Sequence, residues 1–575
     1  MEKSDIKKLN ISPNVAKVFD VLAPVCLVLI SFIGFRRGIE ITDTGYNLGN
    51  FTYLWDLDGM WYYSTLFSNF LGRLIINLPF GGCMLGVGVY LRIIRAGFSL
   101  WFYRFLTKEA KLNKAAVFAG LVLALSLCWA PAYGVYHYLS YYVFAIATAL
   151  LYKGLTCGKS GYLIVAGAVL GLNLFVRCPN ICEVALIVAV WYYCFAEKEK
   201  IGDILKKTGL CVLGYACALI VVFGIIAITG HMGDYITAIK ELFAMTGESH
   251  RYGMLFTIRN LVNSYTCVWY WLIPVVIGVI GLTVLGFLPE SFKYLYHGIA
   301  VLGFAVIYLW FKKTELFDYN FRSYSSMYLF GVVMLIICIV LMLSALFIKN
   351  ITPSERLLCV SALVIILVTP LGTNNSLYSV INNLFLVYPV AVHVLFKVGE
   401  YSRIKVLRTG LATLFFIYIV HMFLFGTMFT FREKQPKQDT YVYNNPVMAG
   451  MKTSKEYAKL YTDISDLWVE RELEGARVLS FGDVPGFAYY MHSKPAISST
   501  WPSLDSYSNE KFEKEMERLK TEIKGKGYKV VVITDFYLDK EGYKQEILKN
   551  FLNEYNYTEV YDGLGYKFWL PGSGE

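Results

Sequence analysis

Apolar runs of about twenty residues, the length that carries a helix across a hydrocarbon core of about 30 Å, recur along the first three quarters of the chain and stop near Thr430. Windows near 17–35, 76–96, 115–133, 135–152, 160–176, 181–196, 208–229, 265–288, 294–311, 326–348, 356–371, 378–396 and 409–430 predict about thirteen spanning helices. The first run, Val18 to Phe35, is broken only by Asp20 and followed by Arg36-Arg37. A secretory leader would carry small residues there, so this run is expected to stay as a span.

After Thr430 the pattern changes. Arg477 to Phe481 reads as a strand entering a Gly-Asp-Val-Pro-Gly turn, and Asn509 to Lys526 is charged with helical spacing. Lys529 to Asp535 is a short continuous apolar run of the kind a buried parallel strand shows. Lys540 to Tyr555 reads as a helix, ahead of strand-like Thr558 to Tyr561 and Tyr566 to Leu570. The alternation predicts an α/β domain over 431–575, following a polytopic helical domain over 1–430. Gln435 to Pro446 reads as the linker.

Composition fixes the class. Mean hydropathy is +0.49 with 17% charged residues, against roughly a quarter in globular proteins, so the chain is expected to be a multi-pass membrane protein. The formal charge of +10 falls largely in alternate short loops: Arg92 to Lys114, Lys153 and Lys159, Lys198 to Lys207, and Lys397 to Arg408. Placing these in the cytoplasm puts the N-terminus inside, and the first long loop (36–75), the turn at Arg177, the segment His231 to Asn263, the turn Gly372 to Asn375 and the tail outside. That distribution accounts for the charge without a nucleic-acid partner. All twelve cysteines precede Lys397, mostly in apolar runs, where they read as packing groups. Cys178 and Cys182 lack nearby histidines and make a poor metal site, and no P-loop is present, so neither metal nor cofactor is expected.

The loop 36–75 is far longer than a turn requires, and loops of that length are often functional. It holds Asp43, glycines at 45 and 49, and the aromatics Trp55, Trp61, Tyr62, Tyr63 and Phe67. Its alternative reading is a solvated loop whose acids pair with Arg36 and Arg37. Arg177 stands between two apolar runs, at a depth that is costly unless it is paired or faces an aqueous cavity; it could equally snorkel to headgroups. His250 and Arg251 form a cationic pair in an outer segment, with Arg259 further on and Lys312, Lys313 and Arg322 as weaker candidates. Asn374 and Asn375 could hydrogen-bond sugar hydroxyls, or simply form a turn.

A span, a long outer loop with an acid near its start, about ten further spans and an outer α/β tail resemble the GT-C superfamily of glycosyltransferases, in particular the branch like protein mannosyltransferases and aminoarabinose transferases. The resemblance implies an inverting transferase that takes a sugar from a polyprenyl-phosphate carrier to an extracytoplasmic glycan, lipid or protein. It also implies Asp43 as general base, Arg177, His250 and Arg251 on the donor phosphate, and Asn374, Asn375 and Trp55 near acceptor or sugar. Many relatives carry a second acid beside the first. Thr44 and Gly45 follow Asp43 here, with Asp56 and Asp58 more than ten residues on, which tells against a two-acid or metal mechanism. The alternatives are a transporter or flippase of lipid-linked glycans, which would place its polar groups nearer mid-membrane, and a non-catalytic envelope scaffold.

Overall fold

The computed structural model describes residues 13–127, 133–248, 253–285, 289–316, 325–371, 373, 375–381, 384–398, 405–428 and 439–572. Helices fill the chain from Pro13 to Met428, and strands begin at Thr440. Among the described residues seven helices are long and apolar enough to cross a membrane, and the bent pair Met254–Thr266 and Trp269–Leu285 makes an eighth. Shorter apolar helices include Phe19–Ser31, Lys114–Ser126, Ser160–Val176 and Val387–Val398. Several predicted windows of twenty therefore fall on shorter pieces.

Small residues let the helices approach. A Cβ on Gly167 would stand 1.9 Å from the Cys211 carbonyl oxygen, and one on Gly214 would stand 1.8 Å from that of Ile164. Helices Ser160–Val176 and Ile201–Ile228 thus touch backbone to backbone, as small residues allow between membrane helices. The span predicted near 76–96 is shifted along the chain: a short helix, Leu66–Ile76, ends where the window begins, and the long helix runs Met84–Arg104. Arg92 and Arg95, assigned above to a cytoplasmic loop, lie within that long helix and are buried. The basic residues that remain at its far end are Arg104, Lys108, Lys111 and Lys114.

The tail is built on a four-stranded sheet. Its strands follow two short ones, β1 (Thr440–Tyr441) and β2 (Lys452–Thr453), and are β3 (Arg477–Phe481), β4 (Val530–Thr534), β5 (Tyr557–Gly563) and β6 (Tyr566–Pro571). The order is β3-β4-β6-β5, with β3 and β4 parallel and β6 antiparallel to both β4 and β5. Every residue of β4 is buried, which is why its sequence is a continuous apolar run rather than an alternating one. Side chains alternate between faces: Val530 and Val532 pack with Phe512, Leu548 and Phe551, while Val531 and Ile533 pack in a second core.

That second core joins the tail to the first outer loop, because it also contains Ile39, Ile41, Leu48 and Phe51. The stretch predicted as a linker takes part as well. Tyr441 accepts from the Arg36 guanidinium at 3.0 Å, Lys452 N donates to Arg36 O at 2.7 Å, and Asn445 is buried with its amide on Tyr490 O at 2.9 Å.

Candidate active site

Asp43 opens the helix Asp43–Thr52 and is half-buried. The preceding residues hold it there. Glu40, buried to 4% exposure, accepts from Thr42 N at 2.8 Å and Thr44 N at 2.7 Å, and from the Thr42 hydroxyl. These are first-turn donors with no partner inside the helix. Glu40, three residues upstream of Asp43, is a residue of this turn that the sequence expectations leave out. The local signal was present: an acid placed to cap the helix that Asp43 begins.

The tail fixes the same turn from the other side. Tyr490 donates its hydroxyl to Glu40 O at 2.5 Å, and Gly486 N donates to Ile41 O at 2.9 Å. A Cβ on Gly45 would stand 2.2 Å from Gly486 Cα, so only glycine permits this approach. Asp56 and Asp58 serve the same junction: Lys494 reaches Asp56 at 3.0 Å, and Lys511 bridges Asp58 at 2.6 Å and Glu241 at 2.8 Å.

One turn beyond Asp43, Tyr46 meets Trp61 and Trp501, each with ring centroids 5.8 Å away. The indole N–H groups of Trp61 and Trp501 are buried and make no hydrogen bond among the described residues, although such donors normally find a partner. These three rings pack together one turn along the helix from Asp43. Trp61 was noted in the sequence only as one of the loop's aromatics, and Trp501, in the tail, gave no local signal.

Trp55 lies elsewhere in the loop. It is 66% exposed, packs against Tyr62 and Phe70, and borders an open groove of about 350 Å³ with Asp58, Asp234 and Glu241. Burial pushes the Tyr62 hydroxyl up to about 12, with the neighbouring Tyr63 adding to the shift.

Arg177 caps the helix Ser160–Val176 in extended conformation and leads into the turn Cys178–Leu186, with Pro179 at its start. It lines a cleft with His137, Ser140, Tyr141, Asn180, Glu183 and Thr369. Behind it the Asn173 amide donates to Glu183 and to Ser140 O at 3.1 Å, and Asn180 donates to Ser140 Oγ at 2.7 Å. Tyr141 donates to the Ser379 carbonyl, tying the cleft to the turn that contains Asn375. His137 and Glu183 were not picked out from the sequence. Their signal was a titratable residue inside an apolar window, which by default marks a functional position.

The two places are mechanically linked. Helix Leu66–Ile76 packs against Phe51 of the Asp43 helix, so closely that a Cβ on Gly72 would stand 2.3 Å from its ring. One turn earlier on the same helix Ser68 donates to Val176 O at 3.2 Å, next to Arg177. His250, Arg251 and Asn374 lie outside the described residues. Asn375 is exposed in a turn and its N–H donates to Thr373 Oγ1 at 3.1 Å. Arg259, Lys312 and Lys313 are exposed on their helices. Among the described residues no group of three His, Cys, Asp or Glu side chains is placed to hold a metal ion.

No protein-family model and no curated protein matches the chain. Solved structures similar to it include the oligosaccharyltransferase AglB of Archaeoglobus fulgidus in complex with an inhibitory peptide and a dolichol-phosphate, at 13% identity over 97% of this chain and 75% of that one, with a TM-score of 0.42. ArnT from Cupriavidus metallidurans bound to undecaprenyl phosphate gives 13% identity over 98% of both chains and a TM-score of 0.42. Both are GT-C membrane glycosyltransferases. At such identities and scores the likeness carries no residue roles across.

Proposed function

We propose that this chain is an inverting membrane glycosyltransferase that uses a polyprenyl-phosphate sugar, with Asp43 as general base. The observation that supports the reading is the pairing of Asp43, at the head of a helix whose first turn is held by Glu40, with an arginine cleft joined to that helix through Leu66–Ile76. Asp43 takes the proton of the acceptor hydroxyl as its oxygen bonds to the anomeric carbon. The bond from that carbon to the phosphate oxygen breaks on the opposite side, and polyprenyl phosphate leaves. Charge gathers on the departing phosphate, where a guanidinium held in a water-poor cleft stabilises it most. Arg177 fills that role, with His250 and Arg251 as further phosphate ligands, and Asn374, Asn375 and Trp55 on acceptor or sugar.

In this reading the N-terminus is cytoplasmic, and residues 431–575 form an extracytoplasmic domain that shapes the acceptor side. The test is transfer and donor hydrolysis by the purified full chain with a panel of polyprenyl-phosphate sugars. Asp43→Asn is expected to lower turnover by about 10²–10⁴-fold; unchanged turnover overturns the assignment. Movement of glycolipid across proteoliposomes without turnover would identify a transporter instead.

A further inference from the structure

The short helix Gly59–Ser64 has different neighbours on its different sides. Trp61 meets Tyr46 of the Asp43 helix, while Tyr62 and Tyr63 line the open groove shared with helix Met232–Glu248. The groove therefore lies across one short helix from the helix that Asp43 begins. At about 350 Å³ it falls in the range of about 300–1,000 Å³ that small-molecule sites occupy.

Its walls differ in kind. One is aromatic: Trp55, 66% exposed, has its ring centroid 5.5 Å from that of Tyr62, which meets Tyr63 edge-on at 4.6 Å. Phe70 and Tyr235 brace these rings, Phe70 at 6.1 Å from Trp55 and Tyr235 at 5.4 Å from Tyr63. The other wall is acidic, with Asp58, Asp234 and Glu241. Lys511 sits 2.6 Å from Asp58 and 2.8 Å from Glu241, and His231 is 3.1 Å from Asp234. Even with His231 counted as charged, the three carboxylates outnumber these two cations. Asp234 is the most open of the three, with its side chain 68% exposed.

The two walls restrict the occupant. Ionised carboxylates accept hydrogen bonds and cannot donate, so the occupant must bring donors. A phosphate, sulfate or carboxylate would meet like charge there, which excludes the head of a polyprenyl-phosphate sugar. A peptide backbone brings as many acceptors as donors, a poor match to walls that mostly accept. A sugar ring combines apolar C–H faces, which lie flat on aromatic rings, with a rim of hydroxyl donors.

We propose that this groove binds a saccharide free of anionic groups, laid on Trp55 and Tyr62 with its hydroxyls on Asp234 and Glu241. Resting on the transferase reading, that saccharide is the acceptor, and the groove holds a part of it remote from the reacting hydroxyl, where binding energy helps to orient the reacting end.

The test is calorimetric titration of the full chain in a detergent that carries no sugar. Cellotetraose, which is neutral, tetraglucosamine, which bears amines, and tetragalacturonate, which bears carboxylates, are compared with tetralysine. The first two are expected to bind at millimolar concentration or below, and tetragalacturonate at least about tenfold more weakly. Trp55→Ala is expected to weaken both binders by about tenfold, and Asp234→Asn, which keeps an acceptor and removes a charge, to narrow the gap to tetragalacturonate. Both side chains are mostly exposed, so neither variant threatens the fold. No saccharide binding, binding indifferent to Trp55→Ala, or equal binding of all three saccharides overturns the proposal, and tighter binding of tetralysine overturns it in favour of a basic peptide. Trp55-dependent saccharide binding by a protein that transfers no sugar from any polyprenyl-phosphate donor upholds the groove and overturns the transferase reading alone.

Discussion

The two ends of the candidate site are made of different materials. The Asp43 end is set by backbone donors on Glu40, a glycine-to-glycine contact and lysines from the tail, so its geometry depends on a distant part of the chain. The Arg177 end is set by amides and hydroxyls between membrane helices, with Asn173, Asn180, Ser140 and Glu183 hydrogen-bonded among themselves. A charge in the second setting acts through a lower dielectric and is worth more per contact. The first setting is instead sensitive to how well two large pieces stay docked. Damage at one end should therefore change chemistry, and damage at the other should change the hold on the donor.

The sharpest separation comes from the two side chains themselves. Asp43→Asn is expected to reduce kcat by about 10²–10⁴-fold with little change in donor KM. Arg177→Gln should lower kcat/KM for the donor by about 10²–10³-fold, with Arg177→Lys recovering only part because it lacks the planar fork. Steady-state kinetics with varied donor tests this, and identical signatures for both variants would erase the distinction. Gly45→Ala forces a methyl against Gly486 and should cost about 1–3 kcal/mol, seen as a lowered Tm and lost turnover while donor-lipid binding persists. An unchanged Tm would mean that the junction yields freely.

Lys511→Gln removes the bridge to Asp58 and Glu241. Since those groups are partly exposed, the expected loss is at most about 1 kcal/mol, with high salt reproducing it in the wild type. Salt-insensitive stability would argue that the bridge contributes nothing. The smallest effect concerns Asp535, buried at the end of β4 and accepting from Asp483 N at 2.9 Å and Tyr537 N at 2.8 Å. Burial raises its carboxyl above the ordinary range, outweighing those two donors. Its contribution to stability is thus fully present below the unfolded-state value and is lost as pH rises through the folded one. Denaturation across the acid range should show that decline in the wild type and a flatter profile in Asp535→Asn.

Much of this architecture is legible from local pattern. The continuous run at Val530–Thr534 and the charged helical spacing at Asn509–Lys526 correspond to the observed parallel strand and helix, since burial on two faces and amphipathicity both leave a mark on neighbouring residues. Span boundaries were less legible, because a shared bundle interior tolerates short and broken helices such as Val387–Val398. Arg92 and Arg95 were misplaced because a rule that counts cations cannot see that a helix continues through them. Trp501 and Tyr490 could not have been attached to Asp43, because nothing near them in the chain records a contact more than 400 residues away. Glu40 is legible locally, as an acid three residues ahead of the helix that Asp43 begins.

The bond from Tyr490 to Glu40 spans 450 residues, which gives it a meaning in time as well as in space. At 5–20 residues per second, roughly 20–90 s of synthesis separate the two partners. For that interval the growing chain already carries Asp43 and, from about a third of the way, Arg177, yet lacks the hydroxyl and the glycine that hold the turn from the other side. A ribosome that stops before Tyr490 leaves behind a membrane-embedded chain whose Asp43 turn lacks its second set of supports, so the geometry of that turn is settled only after most of the helices have been made.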